Sequence, residues 1–337
     1  MRRNMEQEYV KIRATNPDGA TANITQLCRS ITWSGDCRSA ARTLSYSPVV
    51  SADDIHLPRA PTELGGSVQF WRESDLLMDA FALERTRDSL GHTIDVTAYD
   101  RGLYLTRNSD FRRVEKQTAE AVTASLCGKF GIPVGALAAT GVPLTRNFLG
   151  VTVYKIIMTM YSLASDQTGK QYRIRFRGRN LEVVEMKQSE ESLILKPGSN
   201  LLSCVAKESA SAMTNSVAIY DDQYNLTGTQ EDGEAVKLYG LMQAAVRAGA
   251  YEDPGGHAKQ ILKENGLKTT ITVNTLGNLK LITGNTVVVE EPVTGVNGLF
   301  WIISDAHRWQ RGIYQTKLTL SLEGLMDKQA AGSEAKR

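Results

Sequence analysis

The chain has 337 residues and carries 39 Lys and Arg against 37 Asp and Glu, a formal charge of +2. Such a balance argues against a dedicated nucleic-acid binder, which needs a visible basic excess to meet phosphates, and the length provides for two or three domains with their own cores. The start, Met1 to Glu8, has no apolar signal core and no apolar run approaches the roughly 18 residues of a membrane span, so synthesis in the cytoplasm without a cleaved leader is expected.

Residues 1–110 read as a mostly β domain. Alternation opens at Tyr9 to Ala14, and Asn23 to Leu27 and Ile31 to Trp33 follow. Ser34-Gly35-Asp36 reads as a turn, and Ala41 to Val50 as the next strand. The Gly65-Gly66 turn leads into Ser67 to Trp71, then Phe81 to Thr86 and Ile94 to Tyr99. Short strands at regular spacing favour a barrel or sandwich.

The period then changes. From Glu115 to Phe130 the apolar residues Ala119, Val122, Leu126, Cys127 and Phe130 fall at helical spacing, and Gly131 and Pro133 stop the helix. A second helix runs from Val153 to Asp166, with Thr152 as N-cap and Gly169 at its end. Between them, Gly131 to Gly150 reads as a loop. A hairpin follows, Tyr172 to Phe176 and Leu181 to Val184 around Gly178. Residues 111–192 are therefore a small α+β domain.

β character returns over residues 193–326. Strands are predicted at Asn200 to Lys207, Ser216 to Tyr220, Leu226 to Thr229, Thr269 to Val273, Leu279 to Ile282 and Thr286 to Glu290. Helices at Glu234 to Ala248 and His257 to Asn265 form an insertion, residues 233–266, in this second β domain. The segment closes on a β-hairpin. Its second arm places Tyr314, Thr316, Leu318, Leu320 and Leu322 on one face, and its first arm, Leu299 to Ser304, is apolar on both faces. Gln310-Arg311-Gly312 supplies the turn. Residues 327–337 are small and polar, and disorder is predicted.

The candidate chemistry is sparse. Asp305 and His307 point the same way along a strand while Ser304 points away, which suits hydrogen bonding at a hairpin corner better than acid–base or nucleophilic work. Asp54 and His56 share that spacing in a loop. Asp221, Asp222 and Asn225 resemble half a calcium loop but lack its Gly and its bidentate Glu, so a hairpin turn is the better reading. Arg173, Arg175, Arg177 and Arg179 alternate with Tyr172, Ile174 and Phe176, giving one basic face. It is read as solvated, or as an interface for an acidic partner, with the apolar face packed on the Val153 helix. The glycine turns at Gly65-Gly66 and Thr283-Gly284 lack a P-loop lysine. The pairs Glu190-Glu191 and Glu290-Glu291 are strand neighbours that point apart. Cys28, Cys37, Cys127 and Cys204 include no CxxC pair. With a turn at Ser34-Gly35, Cys28 and Cys37 do not face each other, so free thiols are expected. No catalytic, cofactor-binding or metal-ligating set emerges.

The stretch Trp301 to Trp309 with Ile313 to Leu318 resembles the C-terminal end of phage tail baseplate hub proteins, those of Bacillus-type defective prophages and of contractile bacteriocin particles. Ser30 to Gly35 with Ala40 to Leu44, Ala98 to Leu105, Lys116 to Ala121, Gly131 to Pro133, Val217 to Asp221 and Tyr239 to Gln243 extend the resemblance over most of the chain, the Ala136 to Thr145 stretch excepted. It implies a β-rich α+β fold with two tail-tube-like barrels, residues 1–110 and 193–326. It further implies a non-enzymatic homotrimer in a phage-like particle. Three copies of two similar domains would make a quasi-sixfold ring that adapts a hexameric tail tube to a trimeric central spike. The 111–192 domain and the 233–266 insertion would lie outside or below that ring. Implied partners are a second and third copy, the spike, the tube, and the wedge and tape measure proteins. No membrane and no sequence-specific nucleic acid are implied. The alternative from another class is a cell-wall-acting or carbohydrate-binding module of the same particle.

Overall fold

The computed structural model describes residues 10–51, 54, 56–189, 192–250 and 253–333. The first strand set is β1 (Val10–Thr15), β2 (Thr21–Asn23), β3 (Cys28–Asp36), β4 (Thr43–Pro48), β5 (Ser67–Arg72), β6 (Asp75–Arg87) and β7 (Ile94–Asp100). Then come α1 (Gly102–Arg107), β8 (Ser109–Gln117), α2 (Ala119–Lys129), β9 (Val134–Leu137), β10 (Leu144–Thr152), α3 (Val153–Thr168), β11 (Tyr172–Arg177) and β12 (Asn180–Glu185). The remainder is β13 (Leu193–Leu195), β14 (Leu201–Ser209), β15 (Ser216–Tyr220), β16 (Leu226–Glu231), α4 (Gly233–Tyr239), β17 (Gln243–Arg247), α5 (Pro254–Glu264), β18 (Lys268–Leu276), β19 (Thr286–Glu291), β20 (Val296–Gln310) and β21 (Ile313–Ser321).

The chain forms two compact units, one of residues 1–204 with 273–337 and one of Val205–Thr272. In the smaller unit, β15 lies between antiparallel β16 and parallel β17. Val217 and Ile219 of β15 and Ala258 of α5 make its core.

The larger unit is built on the sheet ordered β21-β20-β3-β4-β7-β6-β5-β1-β2, with β19 on β20, β13 on β19, and residues 201–204 of β14 and 273–276 of β18 beyond β21. The period-two pattern explains the layering. β1 buries Val10, Ile12 and Ala14 in alternation, and β4 buries Leu44, Tyr46 and Pro48. Trp33, Phe70, Met78 and Val96 join them in one core, to which Leu279 is added from far along the sequence.

A second core surrounds α3. Its Thr152 hydroxyl accepts from the Lys155 N–H, and Gly169 closes it in the left-handed conformation at φ 71°. Ile156, Met160 and Tyr161 of α3 meet Leu126 of α2, Phe148 of β10, and Tyr172 and Leu181 of the β11–β12 hairpin. The buried polar residues of α3 bind a segment for which composition predicts disorder. Ser162 Oγ accepts from the Gln329 N–H at 3.0 Å, Thr159 Oγ1 accepts from the Ala331 N–H at 3.0 Å, and the Tyr154 hydroxyl donates to Asp327 at 2.6 Å.

Several local expectations are corrected. The Gly131 to Gly150 stretch, read as a loop, contains β9 and most of β10. The helix placed at Glu115 starts at Ala119, because residues before it belong to β8, paired to β10. The helix of Glu234 to Ala248 stops at Tyr239, and Gln243–Arg247 is instead β17, held in parallel register on β15. Leu279 to Ile282 is a turn closed by Leu281 N–H to Asn278 O, and Asn23 to Leu27 divides into the end of β2 and a 3₁₀ turn. Ser34-Gly35 lies inside β3, and the reversal comes over residues 37–42, since Trp33 pairs with Leu44. All four cysteines are free thiols.

Candidate functional site

The two strand sets meet at a single long strand. β20 uses its first half, Val296 to Trp301, against β19, and its second half, Ser304 to Gln310, against β3. β21 lies along the other edge of β20. On that β21 edge the register shifts between Ile302 and Ser304, at the point where β20 passes from β19 to β3 on its other edge. The β20–β21 turn is Arg311 and Gly312, at φ 52° and 73°. Two successive left-handed residues are the requirement of a two-residue hairpin turn, and Gly312 meets it without strain.

At the first rungs of this joint Asp305 lies opposite Gly35. Its carboxylate accepts from Arg42 Nη1 at 3.0 Å and from Arg42 Nη2, a bidentate pair with a fully buried acid. Thr283 donates to the same acid twice, from its N–H at 2.7 Å and its hydroxyl at 2.6 Å. His307 Nε2 lies 3.3 Å away, and His307 Nδ1 lies 2.8 Å from the Tyr314 hydroxyl. Burial alone would raise the Asp305 pKa. The Arg42 charge and these hydrogen bonds outweigh burial and hold the carboxyl well below the usual carboxylate range. Arg42 can reach Asp305 because residue 35 has no side chain: a Cβ built there falls 2.7 Å from Arg42 Cζ. The guanidinium also stacks over Trp33, 4.0 Å from the ring centroid.

An aromatic ladder continues the joint. Trp33 and His307 are 5.4 Å apart, Phe70 and Trp309 5.6 Å, and Trp309 stacks on Tyr314 at 4.3 Å and 12°. Behind Arg42, Asp100 accepts from the Arg42 N–H at 3.2 Å and the Gly102 N–H at 2.8 Å. Burial raises its pKa to about 7 against those bonds. The cluster holds a buried ion pair, a buried imidazole and stacked rings. Ser304 Oγ donates away from it, to Thr319 at 2.8 Å. Its chemistry is that of a clamp between sheet halves.

The other sequence candidates do not assemble. His56 N–H donates to Asp54 Oδ1 at 2.9 Å, an Asx turn. Asp221 accepts from the N–H groups of Gln223 and Asn225 at 2.9 and 2.8 Å, which holds its carboxyl below the ordinary value, and Asp222 meets Arg247 at 3.4 Å. Glu291 is buried and accepts from Thr294 N–H at 2.7 Å, whereas Glu290 faces out. Glu190 and Glu191 lie outside the described residues. Among the described residues no group of three or more His, Cys, Asp or Glu could hold a metal ion, and no helix is long and apolar enough to cross a membrane. The arginine row is divided. Tyr172 and Phe176 pack inward, Arg175 pairs with Glu182 at 2.7 Å, and Arg179 pairs with Asp79. The sequence reading missed Arg42, Thr283 and Gly35, whose meeting with Asp305 spans up to 263 residues of chain.

Residues 31–321 match the model of the family described as YQBQ-like. The chain belongs to that family. Its relatives include the uncharacterized protein YqbQ of Bacillus subtilis, 22% identical over 83% of this chain and 88% of that one. The phage-like element PBSX protein XkdQ of the same organism is 22% identical over 77% and 81%. The fold is shared with the 43 kDa tail protein of prophage MuSo2 from Shewanella oneidensis, at TM-score 0.71 and 11% identity over 93% of this chain and 97% of that chain. It is also shared with the E. coli c3393 protein, a type VI secretion component described as similar to the bacteriophage T4 tail proteins gp27 and gp5. That match has TM-score 0.53 and 11% identity over 91% and 76% of the two chains.

Proposed function

We propose that this YQBQ-like chain is the structural hub of a phage-like tail baseplate. Three copies form a quasi-sixfold ring that joins a hexameric tail tube to a trimeric central spike. Each copy supplies two tube-like β domains, from residues 1–110 and 193–326. The observation that carries the reading is the β20–β3 joint. A threefold assembly matches a sixfold tube only if the two strand sets of each copy keep a fixed relation. A continuous backbone ladder with a buried Arg42–Asp305 clamp fits that need. Kinship with a protein of the phage-like element PBSX and the fold shared with prophage tail proteins support the same reading. The role is structural, not enzymatic. The α3-centred region and the 233–266 insertion supply surfaces for spike, wedge and tape measure proteins, and the assembled chain resides in the tail of the particle.

Quantitative mass spectrometry of purified particles tests this. Three copies per particle, beside six per ring of tube protein, support the hub. Six copies per ring of this chain, or its absence from particles, would overturn it.

A further inference from the structure

Strand β11 was singled out by its alternating arginines, and the joint described above uses none of them. In the larger unit these side chains line a cleft of about 330 Å³ that also takes in Arg42, Arg72 and the buried faces of Trp33 and Phe176. Three of the five arginines in this lining already have carboxylate partners. Arg42 is held by Asp305, Arg72 meets Asp75 at 3.1 Å, and Arg175 meets Glu182 at 2.7 Å. The side chains of Arg173 and Arg177 donate no hydrogen bond and form no ion pair among the described residues.

Arg173 is the more telling of the two, because it is partly buried and faces other cations. Burial, then the charges of Arg175 and Arg42, lower its pKa to about 10, against a smaller opposing pull from the Asp305 charge. A half-buried guanidinium beside like charges is a cost to the free protein. An incoming carboxylate would relieve it, and the planar fork of arginine offers paired donors for that group.

The lining discriminates between anions. A nucleic-acid strand needs a track of unpaired cations along a surface. Here the arginines converge on one concavity, and with Arg42, Arg72 and Arg175 already paired to carboxylates too few cations are left to track a chain of phosphates. A short acidic segment needs only the two free guanidiniums for its carboxylates. Its apolar neighbours would find the half-buried Leu76, Leu77 and Ile282.

We propose that this cleft is a docking site for an acidic peptide segment of a partner protein, its carboxylates on Arg173 and Arg177 and an adjacent apolar side chain against Leu76, Leu77 and Ile282. The probe is acetyl-Glu-Leu-Glu-Leu-amide, titrated into the full chain by calorimetry and by tryptophan fluorescence at fixed ionic strength. Saturable binding is expected, with no response to the Gln-Leu-Gln-Leu counterpart. Arg177→Ala should weaken it about tenfold, the loss of one charge-assisted hydrogen bond. Arg177 is exposed, so this variant keeps the fold, and Arg173→Ala should weaken binding at least as much. An equal response to the glutamine peptide or to inorganic phosphate would overturn the proposal. So would an unchanged affinity in Arg177→Ala, or displacement of the peptide by oligothymidylate.

Discussion

Replacing Asp305 by Ala should destabilise the larger unit by about 4 kcal/mol. The carboxylate is fully buried, and the Arg42 side chain facing it is only 15% exposed. Removing one partner leaves a guanidinium with its charge uncompensated, and breaking a buried pair in this way costs about 3–5 kcal/mol. The Thr283 N–H and hydroxyl lose their acceptor as well, a cost of about 1–3 kcal/mol that overlaps the first rather than adding to it. Arg42→Met joined to Asp305→Leu removes both charges and should recover most of the loss, leaving a deficit of about 1 kcal/mol. Urea unfolding followed by tryptophan fluorescence measures this cleanly. The four tryptophans, Trp33, Trp71, Trp301 and Trp309, all lie in the larger unit, so the signal reports that unit alone. A single-variant loss below about 1 kcal/mol, or a double variant equal to the sum of its parts, would refute the clamp.

Gly35→Ala should cost about 1–3 kcal/mol through the clash with Arg42, and adding Arg42→Ala should cancel the steric part, both read from the same unfolding curves. Asp100 gives a pH dependence. Its folded pKa, about 7, lies above the ordinary 3.8, so its stabilising proton is fully held below the ordinary value and lost as pH rises through about 7. Stability should therefore fall by about 3 kcal/mol from this group between pH 5 and pH 8, and Asp100→Asn should flatten that limb. Parallel curves for the two proteins would contradict it. Tyr314→Phe should cost about 1 kcal/mol, the hydrogen bond to His307, while keeping the stack on Trp309. The purified chain should leave the turbidity of a bacterial cell-wall suspension unchanged, and clearing would favour a wall-acting enzyme.

Local patterns were legible where one face is buried and one is wet. β1, β4, β21 and the capped helix α3 follow from period and capping residues alone. Where packing overrides propensity, the reading failed. Gln243–Arg247 is alanine-rich and reads as helix, but parallel pairing with β15 makes it a strand. Ser109–Gln117 is crowded with charges and carries an exposed phenylalanine, so its alternation is weak, although β10 fixes it. Asp305 and His307 were visible as a same-face pair. Their partners were not, because Arg42 and Thr283 reach them through tertiary structure that no spacing encodes. Nor does composition reveal that residues 327–331 are bound by the polar side chains of α3.

The most direct test of the hub account is the solution mass of the purified chain, alone and mixed with the spike protein of its own particle, by multi-angle light scattering. The account predicts a trimer of about 111 kDa from the 37.0 kDa chain, alone or as the chain's contribution to a three-to-three complex with the spike. A chain that stays monomeric or forms dimers in both samples would contradict it.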